Sequence, residues 1–155
     1  MEKSQTKKIV FSILLIFLAY SKLVAQEYDF KMIANGQFCS KKNAKNIVIE
    51  SKKDLIKLKS ETGINIEETD TMNFDQKLLI AVFRGGCPSG GYNIHIKDIT
   101  VNNNELLINV ICTNPGNNCR KTMALTQPYA IYIVKRTKLN ICFSESIVVN
   151  DCDNH

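Results

Sequence analysis

The chain has 155 residues, of which 45% are hydrophobic and 23% are charged, and its formal net charge is +5. This length fits a single domain with one core, and no internal repeat, linker or low-complexity tract divides it. Four lysines and one glutamate lie in the first 25 residues, so the remainder carries a net charge of only +2. No basic patch of the kind that binds nucleic acid remains, and a nucleic-acid partner is therefore not expected.

Residues 1–25 are predicted to be a secretory signal peptide. Lys3, Lys7 and Lys8 form a basic start, and the apolar run over 9–20 is too short to span a membrane comfortably. The predicted cleavage follows Ala25, while cleavage after Gln26 and an uncleaved anchor are the alternatives. The protein is therefore expected to be secreted or periplasmic, with no membrane span in the mature chain.

The N-terminal segment 26–45 is predicted to hold a short strand that ends at the turn signal Asn35-Gly36. The β-branched run over 46–50 predicts a second strand.

A short helix is predicted over 52–61. Ser51 is a suitable N-cap, Asp54 places a negative charge in the first turn, and Gly63 is a suitable stop. The polar and acidic stretch over 65–75 then predicts a connecting loop.

From residue 78 onward the pattern is almost entirely that of β-strands. A polar break at 102–105 between two alternating runs predicts a hairpin, and the polar stretch 113–122 predicts a further loop. The predicted strands of this half cover 78–83, 92–101, 106–112, 129–135 and 139–143. The expected fold is α+β: a single small, disulfide-stabilised domain dominated by an antiparallel β-sheet of about six strands, with one short helix.

All six cysteines lie after the predicted signal peptide, where an oxidising compartment favours disulfides over metal binding. There is no Cys-x-x-Cys motif, and His95 and His155 are not at zinc-finger spacing, so no metal site is expected. We predict that Cys87 pairs with Cys119, because each lies in a loop beside strands that should be neighbours, and we leave the other pairings open. The disulfide candidates are Cys39, Cys87, Cys112, Cys119, Cys142 and Cys152.

A glycine-rich segment over 85–91 separates two predicted strands. A phosphate-binding loop would be followed by a helix and would usually carry a Lys-Ser/Thr pair, and neither is present here. The segment therefore predicts a conformationally demanding turn in which Gly90 and Gly91 have positive φ.

Catalytic candidates are few. Ser89 lies between glycines, but Cys87 occupies the position of the first glycine of a hydrolase elbow. His95 falls on the polar side of its strand and has no evident partner. Neither catalytic residues nor a cofactor are therefore expected.

The order and spacing of several motifs resemble the C-terminal domain of the PrcB protease-complex subunit. These motifs are Phe74-Asp75, the run 78–83, Gly85-Gly86, Pro88-Ser89-Gly90-Gly91-Tyr92-Asn93-Ile94, Pro115 and the run 126–131. The resemblance covers about 47–134 and implies a PrcB C-terminal-like domain over 46–155. It also implies an exported accessory subunit that associates with an extracellular protease. The chain differs from the founding member in having six cysteines and no lipid-attachment cysteine.

The predicted function is that of a secreted, non-catalytic accessory or binding module, with an exported protease as the implied partner. The predicted contact surface consists of Pro88, Ser89, Gly90, Gly91 and Tyr92. One alternative is an extracytoplasmic hydrolase that uses Cys87, Ser89 or His95. The other is a disulfide-stabilised structural protein without a specific ligand.

Overall fold

The computed structural model describes residues 26–102 and 104–152, and the predicted signal peptide lies outside them. The helix α1 spans Lys52–Thr62, and a single 3-10 turn covers Glu67–Thr69. The strands are β1 (Gln26–Glu27), β2 (Phe30–Gly36), β3 (Lys45–Ile49), β4 (Lys77–Phe83), β5 (Asn93–Asn102), β6 (Glu105–Pro115), β7 (Tyr129–Lys135) and β8 (Asn140–Asn150). For the described residues, the predicted α+β class is confirmed, with mostly antiparallel strands and one short helix.

The strands form two four-stranded sheets. Sheet A has the order β1-β5-β6-β8, and sheet B has the order β2-β7-β4-β3. Among the described strands, every pairing is antiparallel except that of β6 with β8, which is parallel. The segment 26–45 thus contributes a strand to each sheet.

Within sheet B, the strand β4 is buried on both faces, which explains why its sequence is a continuous apolar run. Leu78, Ile80 and Val82 face sheet A in one core, whereas Leu79 and Ala81 pack toward the helix in a second core. A strand buried on both sides needs apolar residues at every position, so alternation disappears.

Local signals define the helix. The Ser51 side chain accepts a hydrogen bond from the Asp54 N–H, and Leu55 and Leu58 are buried beneath the helix. Gly63 ends it with φ 71°, and its N–H donates to the carbonyl of Lys59. The predicted helix is confirmed, with one more residue at its end.

The last strand is longer than predicted. It continues past Phe143 to Asn150, and its eleven residues pair with β6 without a register shift. Ser144, Glu145 and Ser146 interrupt the apolar alternation, but the backbone pairing does not depend on these side chains.

The predicted Cys87–Cys119 disulfide is wrong: Cys119 is bonded to Cys152, with a Cα–Cα distance of 4.9 Å. Cys119 follows β6 and Cys152 follows β8, and the carboxyl ends of these parallel neighbours lie side by side. The other four candidates are free thiols in the described chain, namely Cys39, Cys87, Cys112 and Cys142. Among the described residues, no helix is long and apolar enough to cross a membrane.

Candidate binding surface

The glycine-rich loop is held between two other segments by backbone hydrogen bonds. On one side, the Gly86 N–H donates to the Lys42 carbonyl at 2.8 Å. On the other side, Cys87 and Thr126 exchange two bonds of 2.8 and 3.0 Å, and the Gly90 N–H donates to the Thr122 carbonyl at 3.0 Å. Three loops therefore meet at the end of sheet B where β4 finishes and β7 begins.

Two glycines of this loop require the absence of a side chain. Gly85 has φ 80°, and a Cβ atom there would lie 2.7 Å from the backbone nitrogen of Ala44. Gly91 has φ 88°, and a Cβ atom would lie 2.9 Å from Pro115. The expected positive φ is confirmed at Gly91 but wrong at Gly90, where the restriction is instead the side chain of Thr122.

Ser89 does not have the surroundings of a nucleophile. Its hydroxyl donates to the carbonyl of Gly90 at 3.2 Å, and its own carbonyl accepts from the hydroxyl of Thr126 at 2.8 Å. Thr126 is buried, so this second bond fixes the loop from beneath. The contacts of Ser89 define loop shape rather than activate its oxygen.

Cys87 is buried, and its thiol lies 3.7 Å from the carbonyl oxygen of Gly85. Burial raises its pKa, although the positive charge of Arg84 acts in the opposite direction. A thiol with a raised pKa stays protonated near neutral pH and is a poor nucleophile. Cys87 therefore acts as a small apolar side chain under the loop.

His95, the third catalytic candidate, lies on β5 opposite Ile111. Its neighbours Ile94 and Ile96 are buried in the core between the sheets, so the imidazole lies on the outer face of sheet A. No group of three His, Cys, Asp or Glu side chains within 26–102 and 104–152 could hold a metal ion.

Large apolar side chains are exposed on the segments that hold the glycine-rich loop. Met123 is fully exposed, and Leu125 is 72% exposed; both lie between the anchoring residues Thr122 and Thr126. Phe38 is 67% exposed and follows Gln37, whose carbonyl accepts a bond from Gln127 at 2.8 Å. Hydrogen bonds join the segments that carry these three residues, and a contiguous exposed apolar patch is typical of an interaction site.

We define the loop surface as these three apolar residues together with the five residues predicted from the sequence. Of those five, Pro88 and Gly91 are exposed and the others are half-buried. The loop surface thus consists of Phe38, Pro88, Ser89, Gly90, Gly91, Tyr92, Met123 and Leu125. The sequence-based prediction of this surface did not include Phe38, Met123 or Leu125; the available signal was their apolar character within otherwise polar segments.

A separate groove of about 790 Å³ lies at the opposite end of sheet B, where β4 begins and β7 ends. Its charge is net positive, because four basic side chains line it together with two acidic ones: Lys31, Lys77, Lys135 and Arg136 with Asp29 and Asp75. It is open, and its wall includes no residue of the loop surface.

The fold is thus a two-sheet α+β domain whose most exposed apolar residues are on constrained loops. Residues 78–135 match the model of the PrcB C-terminal family. The predicted resemblance is confirmed for this region, which runs from β4 to the end of β7 and contains every residue of the loop surface except Phe38. Comparison with curated proteins gave no match, and comparison with solved structures gave none either.

Proposed function

We propose that this protein is an exported, non-catalytic accessory module that binds a protein partner through the loop surface. The observation that carries the proposal is the exposure of Met123 and Leu125 between two backbone anchors. Because the flanking backbone is already held by hydrogen bonds, binding there costs side-chain rotamer freedom but little further ordering of the backbone. Methionine and phenylalanine are enriched in protein interfaces, and the loop surface exposes both Met123 and Phe38.

The partner we propose is a protease. The support is the match of residues 78–135 to the PrcB C-terminal family, whose name is that of a protease-complex subunit. The Cys119–Cys152 disulfide supports a location outside the cytoplasm, where such bonds persist. The predicted signal peptide over 1–25 belongs to the same proposal.

The hydrolase alternative is less well supported by the contacts of its candidate residues. The Ser89 hydroxyl donates to a carbonyl, Cys87 is buried with a raised pKa, and His95 lies on the outer face of sheet A. A nucleophile needs an adjacent base and an open approach to the substrate. If the protein were purely structural, the exposure of Met123 and Leu125 would have no explanation.

Site-specific photocrosslinking in the exporting cell tests the proposal. A photoreactive amino acid replaces Met123 in one variant and Ile56 in the control, because Ile56 is also an exposed apolar residue but lies on α1. We expect a covalent adduct with an exported protease from position 123 and none from position 56. Equal adducts from both positions, or an adduct from position 56 alone, would overturn the proposal.

A further inference from the structure

The free edge of β8 is the longest uninterrupted strand edge in the described chain. Its eleven residues pair with β6 on one side only, and no described strand pairs with the other side. The remaining edges are short or irregular: β1 has two residues, β3 has five, and β2 has a register shift between Met32 and Ala34. An exposed edge presents unpaired N–H and C=O groups that bind another strand.

The devices that normally protect an edge are absent from the described β8. Its sequence contains no proline and no lysine, its register has no bulge, and Glu145 is its one charged residue. Ile147 and Val149 are each 64% exposed, and Val148 is 41% exposed. Side chains alternate across a strand, so apolar groups are exposed on both faces of this edge.

The position of sheet B explains why this part of β8 is uncovered. Ile141 and Phe143 pack against the core between the sheets. The Glu145 carboxylate then accepts a hydrogen bond of 2.6 Å from the Asn46 side chain of β3, the last strand of sheet B. Ile147 is in register with the buried Cys112, so it continues the inner face of sheet A beyond the cover of sheet B.

The direction in which the backbone N–H and C=O groups of β8 point shows which of them are not bonded to β6. The carbonyl of Asn150 accepts from the Gly116 N–H, so the even-numbered residues of β8 direct their backbone groups toward β6. Backbone direction alternates along a strand, so the N–H and C=O groups of Glu145, Ile147 and Val149 point to the open edge.

We propose that this edge pairs with β8 of a second copy, antiparallel and centred on Ile147. Ile147 then lies opposite its own copy, and Glu145 lies opposite Val149 of the second copy, so no like charges meet. Registers centred on Glu145 or Val148 oppose Glu145 with itself or with Asp151, which is unfavourable. The free backbone groups of residues 145, 147 and 149 in each copy bond to those of 149, 147 and 145 in the other copy, so the contact is identical from both sides, as twofold symmetry requires. The two copies of sheet A thus form one continuous eight-stranded sheet.

The mass of the exported protein, measured by light scattering after size-exclusion chromatography, tests this pairing. We expect a dimer for the wild type and a monomer for Ile147→Pro. Proline at position 147 removes an N–H that points away from β6, so sheet A keeps its hydrogen bonds. Circular dichroism and thermal unfolding establish that the variant is folded. A monomeric wild type, as expected if the edge binds a different protein, would overturn the proposal.

Three lysine variants separate the proposed register from a general effect of charge. In Ile147→Lys, the two introduced lysines would lie opposite each other at the twofold axis, and their like charges should give a monomer. Val149→Lys lies opposite Glu145 of the second copy and should keep the dimer. Ile56→Lys makes the same chemical change on α1 and should also keep it. Pairing at this edge is contradicted if both Ile147→Pro and Ile147→Lys remain dimeric, or if Ile56→Lys becomes monomeric. The proposed register is contradicted if Val149→Lys becomes monomeric.

Discussion

The phenolic oxygen of Tyr132 in β7 accepts a hydrogen bond of 2.9 Å from the backbone N–H of Ile96 in β5. Both residues are buried, and the bond joins sheet B to sheet A across the core. It lies where β5 shifts its register on β6, between Ile96 and Asp98. The Phe30 ring packs on Tyr132 with the ring centroids 5.7 Å apart. The Tyr132 hydroxyl thus provides a hydrogen-bond acceptor for the Ile96 N–H, which is buried in an apolar core.

Tyr132→Phe should therefore lower the free energy of unfolding by about 1–3 kcal/mol, the cost of leaving a buried donor without a partner. Urea unfolding measures the change. Tyr28→Phe is the matched control, because the Tyr28 hydroxyl donates to the Lys135 carbonyl at an exposed position. We expect the control to lose less than about 0.5 kcal/mol. Equal losses in the two variants would contradict the role assigned to Tyr132.

Removing the disulfide should destabilise the domain. The bond between Cys119 and Cys152 closes a loop with a sequence separation of 33. Such a loop corresponds to about 3–4 kcal/mol in the chain-entropy treatment. The double variant Cys119→Ser with Cys152→Ser should show this loss in urea unfolding. Peptide mapping without reduction should recover the Cys119–Cys152 pair and free thiol at Cys87; a Cys87–Cys119 peptide would contradict the structure.

Substitution of the loop glycines should separate strained positions from tolerant ones. Gly85→Ala and Gly91→Ala each place a Cβ atom at positive φ against close neighbours, and each should cost about 1–3 kcal/mol. Gly86→Ala is the internal control, because a Cβ atom at this position would lie 3.6 Å from the Lys42 carbonyl oxygen, an ordinary van der Waals distance. Thermal unfolding should rank Gly86→Ala close to the wild type. A Gly86→Ala variant as unstable as the other two would contradict this account of the loop.

Stability should fall at alkaline pH because two thiols are buried. Burial raises the pKa of both Cys87 and Cys112 in the folded state. Their unfolded pKa is about 8.5, so the unfolded chain loses protons first and is favoured as the pH rises above that value. Urea unfolding at pH 7, 9 and 10 should show the decline, and Cys112→Ala should make it shallower. An unchanged slope in this variant would contradict the contribution of Cys112.

The elements that sequence predicts well are those with local causes. Ser51, Asp54 and Gly63 act within a few residues of the helix ends, so the helix over 52–61 could be placed almost completely. The strand over 129–135 was predicted with its observed limits. Both are determined by the pattern of the segment itself.

The features that were missed depend on contacts between distant segments. The second half of β8 is held by parallel pairing with β6 rather than by its own alternation, and without that pairing Cys152 could not be placed beside Cys119. Met123 and Leu125 become a surface only because Thr122 and Thr126 bond to the glycine-rich loop. The local pattern shows that Met123 and Leu125 are apolar residues in a polar segment, but it does not show which distant segment each of these regions contacts.

The proposed binding surface is tested most directly by measuring the affinity of the purified protein for the exported protease that we propose as its partner. A double variant of the loop surface is compared with a control variant on α1. The double variant Met123→Ser with Leu125→Ser should weaken binding at least about tenfold, the equivalent of about 1.4 kcal/mol. Ile56→Ser should bind like the wild type, with folding unchanged in both variants by circular dichroism. Unchanged affinity in the Met123 and Leu125 double variant, or a hydrolytic activity that Ser89→Ala abolishes, would contradict the claim that this protein binds a partner through the loop surface.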